Sequence, residues 1–158
     1  MATRHVDSTV TEHVLVPVDG SPQSQHALQY ALRMPDVSVT AITVLNPFDV
    51  NPLKPGYQSP LGKSGMPAYS QEWYQKQWDE ARALHERVRE EVAEFDGEFE
   101  SVVKFGQAER QILDYVDAHD VDHVVIGATG ETGLSRLLMG STADAVTRRS
   151  PVTVTVVR

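Results

Sequence analysis

Apolar residues along this chain fall into two alternating patterns. Short, nearly continuous runs of valine, leucine and isoleucine are separated by segments in which apolar residues recur every three or four positions. The first pattern marks strands covered on both faces, and the second marks helices with one buried stripe. His13–Val18 (HVLVPV) is the first run, with Pro17 near its end, where a missing ladder donor is tolerated. Asp19-Gly20 makes a turn, and Ser21-Pro22 reads as an N-cap followed by proline at the first helical position. Ala27, Leu28, Ala31 and Leu32 line one face of the helix that follows, and Met34-Pro35-Asp36 ends it. Val37–Leu45 (VSVTAITVL) is a β-branched second strand.

Asn46–Ser70 collects prolines and glycines without a period and reads as a long loop, of a length usually functional or disordered. A helix over Gln71–Phe95 follows, with Trp78, Ala81, Leu84, Val88, Val92 and Phe95 at helical spacing, and Gly97 stops it. Phe99–Phe105 is the third strand. Gly106–Asp120 is a helix whose inner face carries Ala108, Ile112, Tyr115 and Val116. Asp122–Ile126 is the fourth strand, Ser141–Arg149 a short helix and Val152–Val157 the last strand. Strands alternating with helices predict a single-domain α/β fold, an open twisted parallel sheet of five strands with helices on both faces. Residues 1–11 read as a disordered tail and 12–158 as the domain.

Composition narrows the function more than the fold. A length of 158 residues suits one domain with a real core. The net charge of −8 argues against a nucleic-acid surface, which needs clustered Lys and Arg. There is no cysteine, so disulfide and thiolate chemistry are excluded. No apolar run approaches the ~20 residues of a membrane span. The opening residues lack the apolar region of a signal peptide, so the expectation is a cytoplasmic protein without a membrane partner. His85, His119 and His123 show no metal-ligand spacing and read as solvated or satisfied positions. The patterns GxxxxGK[ST] and GxGxxG are absent, and no catalytic residue suggests itself.

Gly127–Ser141 (GATGETGLSRLLMGS) is the segment with chemistry in it. Gly127, Gly130 and Gly133 follow the apolar run Val124-Val125-Ile126, and Gly140-Ser141 opens a helical pattern. Glycine lets main chain approach a ligand closely, and a helix start offers unpaired N–H groups at the positive end of its dipole. Strand, glycine loop and helix start together make a phosphate cradle; the plainer reading is a set of turn glycines. Ser141-Thr142-Ala143-Asp144 also fits a capping box, in which the serine hydroxyl serves the helix itself. Asp19 by itself is an Asp-Gly turn residue.

The spacing Gly127, two residues, Gly130, nine residues, Gly140-Ser141 resembles the nucleotide-binding signature of the universal stress protein family. The texts GLSRLLMGSTADAV, SPVTVTVVR and VLVPVDGSPQSQHAL are similar to that family as well, so the resemblance spans nearly the whole chain. It implies an adenine nucleotide alpha-hydrolase-like, Rossmann-like sheet of order 3-2-1-4-5, with the ligand crevice between strands one and four. It implies that Gly127, Ala128, Thr129, Gly130, Gly133, Gly140, Ser141 and Thr142 hold the phosphates of ATP, or of ADP or AMP, with Mg²⁺ bound through the phosphates. It places Pro17 and Val18 beside the adenine, Asp19 toward ribose or base, and Val44 on the base through its backbone. Glu131 departs from the family, where a basic residue is frequent. An acid there faces solvent, is offset by Mg²⁺, or favours a ligand with fewer charges than ATP. The alternating strand Val152–Val157 is expected at a sheet edge, and relatives dimerise through it, which implies a homodimer. The function so implied is that of a dimeric stress-response sensor or regulator. A nucleotide-independent interaction module and a slow ATPase or autophosphorylating protein are the alternatives.

Overall fold

The β-branched runs form strands because their side chains pack on both faces of one sheet. A computed structural model of the chain describes residues 11–46, 71–129 and 139–158. Five strands, β1 (Glu12–Pro17), β2 (Val37–Leu45), β3 (Phe99–Phe105), β4 (His123–Gly127) and β5 (Thr153–Val157), lie in the order β3-β2-β1-β4-β5. All neighbouring pairs are parallel. The helices are α1 (Pro22–Leu32), α2 (Gln71–Glu91), α3 (Ala108–Ala118) and α4 (Ser141–Arg149). This is the single doubly wound domain that the alternating pattern and the family resemblance imply. The expected tail and the long loop 46–70 lie, apart from Thr11 and Asn46, outside the described residues.

The sheet divides the core in two. On one face Val14, Val16, Val18, Val39 and Ala41 pack with Ala27, Leu28 and Ala31 of α1 and Val88 of α2. On the other, Leu15, Ile42, Val124 and Ile126 pack with Ile112, Tyr115 and Val116 of α3 and Ala143 and Val146 of α4. Odd and even strand positions therefore serve different helices, as period-2 alternation requires. All five residues of β4 are buried, which fits its place inside the sheet.

Local chemistry sets the element ends. The hydroxyl of Ser21 accepts from the amide of Ser24 at 3.2 Å, and Pro22 is the first helical residue. Gly20 sits at φ 85°, a conformation that suits glycine, so the Asp19-Gly20 turn is forced by its backbone. The long helix stops at Glu91 rather than Phe95, although Phe95 still packs on the core from the turn that follows. Trp78 departs from the expected buried stripe: it is 38% exposed and stacks on Phe105, with ring centroids 5.9 Å apart. It lies near the start of α2, over the last residue of β3, where that strand ends.

Polar pins cross the sheet at both ends. At the N-terminal ends of the strands, His13 bonds through Nε2 to Thr40 Oγ1 at 2.8 Å and through Nδ1 to the His119 carbonyl at 3.1 Å. His123 bonds through Nε2 to Thr155 Oγ1 at 2.7 Å and pairs through Nδ1 with Glu12 at 3.2 Å. At the opposite end, Thr43 donates its hydroxyl to the Val18 carbonyl at 2.9 Å. That hydroxyl has one proton, so the 2.7 Å contact with His85 Nε2 is a bond donated by the imidazole. His85 is 8% exposed on the inner side of α2. Burial, and then the Arg89 guanidinium, hold its pKa below the ordinary 6.5.

Gly127, at the end of β4, faces the first turn of α1. A Cβ there would lie 2.8 Å from the Gln23 carbonyl carbon and 3.0 Å from the Ser24 amide nitrogen. Backbone atoms cannot swing aside, so Gly127→Ala is expected to lower stability by about 1–3 kcal/mol. The measurement is the urea midpoint at unchanged m-value; an unshifted midpoint would mean that helix and strand do not approach this closely. His85 generates a pH prediction. A histidine whose folded pKa is depressed binds fewer protons folded than unfolded, so its contribution is complete above about 6.5. That contribution is lost as pH falls from there toward the folded pKa. The urea midpoint should therefore drop between pH 7.5 and pH 5.5, and drop less in His85→Gln.

Candidate functional site

The strand order makes β1 and β4 the neighbours between which the winding of this parallel sheet reverses, and the carboxyl ends of such a pair are where ligands bind in folds of this kind. Its walls are Val18–Ser21, Gly127–Thr129, the end of β2 and the start of α4. Asp19 follows the end of β1, and its amide bonds Ser24, whose own backbone lies against Gly127 at the end of β4.

The ladder between β1 and β2 shows how the base end of the crevice is made. Even positions of β2 face β1: the Glu12 amide donates to the Asp36 carbonyl, and the Val18 amide to that of Ile42 at 2.9 Å. Odd positions face β3, as in the bond from the Gly106 amide to the Leu45 carbonyl. The next rung would run from the Val44 amide to the Val18 carbonyl. The Thr43 hydroxyl takes that carbonyl instead. Val44 thus carries its N–H and C=O past the end of β1 toward the crevice, while its side chain packs on the α3/α4 side of the core. Pro17 is the last residue paired with β2, opposite Ile42. Val18 is 4% exposed, and both its backbone groups are engaged, so it forms the floor of the crevice.

Asp19 is exposed and closes a small turn. Its Oδ1 accepts from the Ser21 amide at 2.9 Å, and its own amide donates to Ser24 Oγ at 3.3 Å. The second carboxylate oxygen has no partner among the described residues. The turn role and a role toward ligand hydroxyls are therefore compatible on one side chain.

At the end of β4 the expected phosphate donors divide into engaged and open groups. Ala128 donates its amide to the Val157 carbonyl at 2.8 Å, and its carbonyl accepts from the Gly140 amide at 2.6 Å. These bonds clip the two ends of the glycine segment together and commit both Ala128 and Gly140. The Thr129 amide donates to Gln23 Oε1 at 2.7 Å, and the Thr129 hydroxyl donates to the same oxygen. Gly130 and Gly133, with Glu131 and Arg136, lie outside the described residues.

The capping box expected at Ser141 is not formed. Gly140 is the N-cap of α4, at φ −61° and ψ 155°, and Ser141 is the first helical residue, exposed. The cap lies one residue before the box would place it, because the Gly140 carbonyl already accepts from the Asp144 amide at 2.9 Å. Among the described residues no side chain caps this end. The amides of Ser141 and Thr142 are therefore orphan donors at the positive end of α4, beside two hydroxyls. Asp144 lies in the same turn but pairs with Arg148 at 3.1 Å.

The crevice thus offers main-chain donors at one end, a peptide group of β2 at the other and a carboxylate between. That set can hold a molecule with an anionic tail and a base that reads a backbone N–H and C=O. Among the described residues no three His, Cys, Asp or Glu side chains gather as a metal site. His85 takes the satisfied position that the sequence allowed it; sequence reasoning missed Gln23 and Thr43, each of which fixes part of the crevice. Their only signal was being polar at positions where a helix or strand faces the core.

A profile of the universal stress protein family matches residues 11–158. The chain is 28% identical over 156 residues to universal stress protein MJ0531 of Methanocaldococcus jannaschii, covering 92% of this chain and 81% of that one. The solved structure of universal stress protein UspA from Lactobacillus plantarum shares the fold with a TM-score of 0.72 at 24% identity, covering 94% and 98% of the two chains. The fold also recurs in a universal stress protein from Archaeoglobus fulgidus in complex with dAMP, with a TM-score of 0.59 at 18% identity over 94% and 98% of the chains. It recurs again in a family protein from Arabidopsis thaliana with AMP bound, with a TM-score of 0.58 at 16% identity over 92% and 90%. With nearly its whole described length matched by the family profile, this chain belongs to the universal stress protein family.

Proposed function

We propose that the chain binds an adenine nucleotide in the crevice between β1 and β4, ATP in the first instance, and acts as a dimeric cytoplasmic sensor or regulator in a stress response. The observation that carries the reading is the bare peptide group of Val44 at one end of the crevice and the uncapped start of α4 at the other. The Val44 amide and carbonyl suit the edge of adenine, and Asp19 suits ribose hydroxyls. The amides and hydroxyls of Ser141 and Thr142 suit the phosphates. Gly130 and Gly133 belong to the same phosphate segment by sequence. Relatives of the same fold solved with AMP and dAMP support the adenylate part. Mg²⁺ would be held through phosphate oxygens and supply charge neutralisation, the role that Glu131 makes useful. Sensing rather than turnover is the function favoured here, with slow ATP hydrolysis or autophosphorylation as the alternative.

The homodimer is proposed through β5. This strand pairs on one side with β4 and is the sheet edge on the other, and Thr153 is exposed on it. An unpaired strand edge is a template for a second copy across a two-fold axis. Among the described residues no helix is long and apolar enough to cross a membrane.

Adenine nucleotide that binds only the folded chain should raise its stability by about 2.7 kcal/mol at a hundredfold excess over its dissociation constant. A thermal melt with ATP–Mg²⁺, ADP or AMP reads this directly, and no shift with any of them at millimolar concentration would end the reading. Ser141→Pro tests the α4 end. Gly140 already has the extended backbone that a residue before proline needs, so the helix should still form. The variant lacks the Ser141 amide and hydroxyl, and nucleotide binding should weaken by about 1.5–3 kcal/mol, as for a bond to a charged group. Titration calorimetry provides the comparison. Light scattering should give the mass of two chains.

A further inference from the structure

Gln23 belongs to the second turn position of α1, yet its side chain reaches away from its own helix onto the segment after β4. The Thr129 amide, which can only donate, points at its carboxamide oxygen at 2.7 Å, and the Thr129 hydroxyl points at the same atom. The oxygen is therefore fixed as the acceptor, and the carboxamide NH2 is left without a partner among the described residues. Two donors converging on one oxygen, beside a helix start with two further open amides, is the arrangement a phosphoryl oxygen meets in such a cradle. The close packing of α1 on Gly127 leaves the Gln23 backbone no room to withdraw, so only the side chain can yield.

We propose that Gln23 is a phosphate-specificity residue of the crevice: its carboxamide oxygen occupies, on the Thr129 amide and hydroxyl, the place that a phosphoryl oxygen of the ligand takes on binding. The inference rests on the nucleotide reading above. Arrival of the ligand exchanges one acceptor for another on Thr129 and frees the carboxamide to turn its NH2 toward the incoming anion. A neutral amide is the side chain that can make this exchange. A carboxylate would hold the same two donors and repel the phosphates, and an aliphatic chain would leave the donors bare in the empty state.

The experiment compares adenosine, AMP and ATP–Mg²⁺ binding by calorimetry at low salt in the full chain, in Gln23→Glu and in Gln29→Glu, which adds the same charge on the exposed side of α1. Gln23→Glu keeps an acceptor on Thr129 and should melt no lower than the parent. Its affinity for ATP should fall by on the order of tenfold or more, for AMP by less, and for adenosine not at all. Gln29→Glu should leave all three unchanged. Equal losses for adenosine and ATP in Gln23→Glu, no loss for either, or the same loss in Gln29→Glu would overturn the inference while leaving nucleotide binding intact. Failure of the parent chain to bind AMP and ATP would overturn both.

Discussion

The first turn of α1 lies so close to the end of β4 that only glycine fits between them, and the crevice is built from that approach. Gly127 brings the backbone of Gln23 and Ser24 against the strand, which sets Asp19 and Gly20 at the mouth of the crevice. It also puts the Gln23 side chain within reach of Thr129. Ala128 then closes the glycine segment by bonding β5 on one side and Gly140 on the other, and that bond fixes where α4 begins. A single absent methyl group thus positions four segments distant in sequence.

The same economy shapes the other end of the crevice. One hydroxyl, that of Thr43, takes the carbonyl that the next rung of the β1–β2 ladder would use. Val44 is left with a peptide group facing outward, without any bulge or loop to present it. His85 donates to the same hydroxyl from α2, which leaves the hydroxyl proton directed at the Val18 carbonyl.

Sequence made the layers legible because burial on both faces leaves unmistakable apolar runs, and β2 and β3 have the bounds that their runs predict. Ser21-Pro22 was equally plain, since capping is a contact over three residues. The order of strands came from the family resemblance, because periodicity says which face a residue takes and nothing about which strand lies beside it. Trp78 was misplaced because an apolar stripe does not record that the sheet beneath it ends first. Ser141 was misplaced as a cap because a capping box and a helix started by the preceding glycine have the same letters. Gln23 and Thr43 escaped notice for one reason: each acts on a residue far away in the chain, and nothing in its neighbourhood announces the partner.

The histidines at the far rim have a mechanical consequence. His13 ties β1 to β2 through Thr40, and His123 ties β4 to β5 through Thr155 and to β1 through Glu12. Side-chain rivets therefore run across four of the five strands at the edge opposite the crevice. The strands are held in register from that rim by bonds that lie a full strand length from the carboxyl ends, and a molecule seated there would leave them intact.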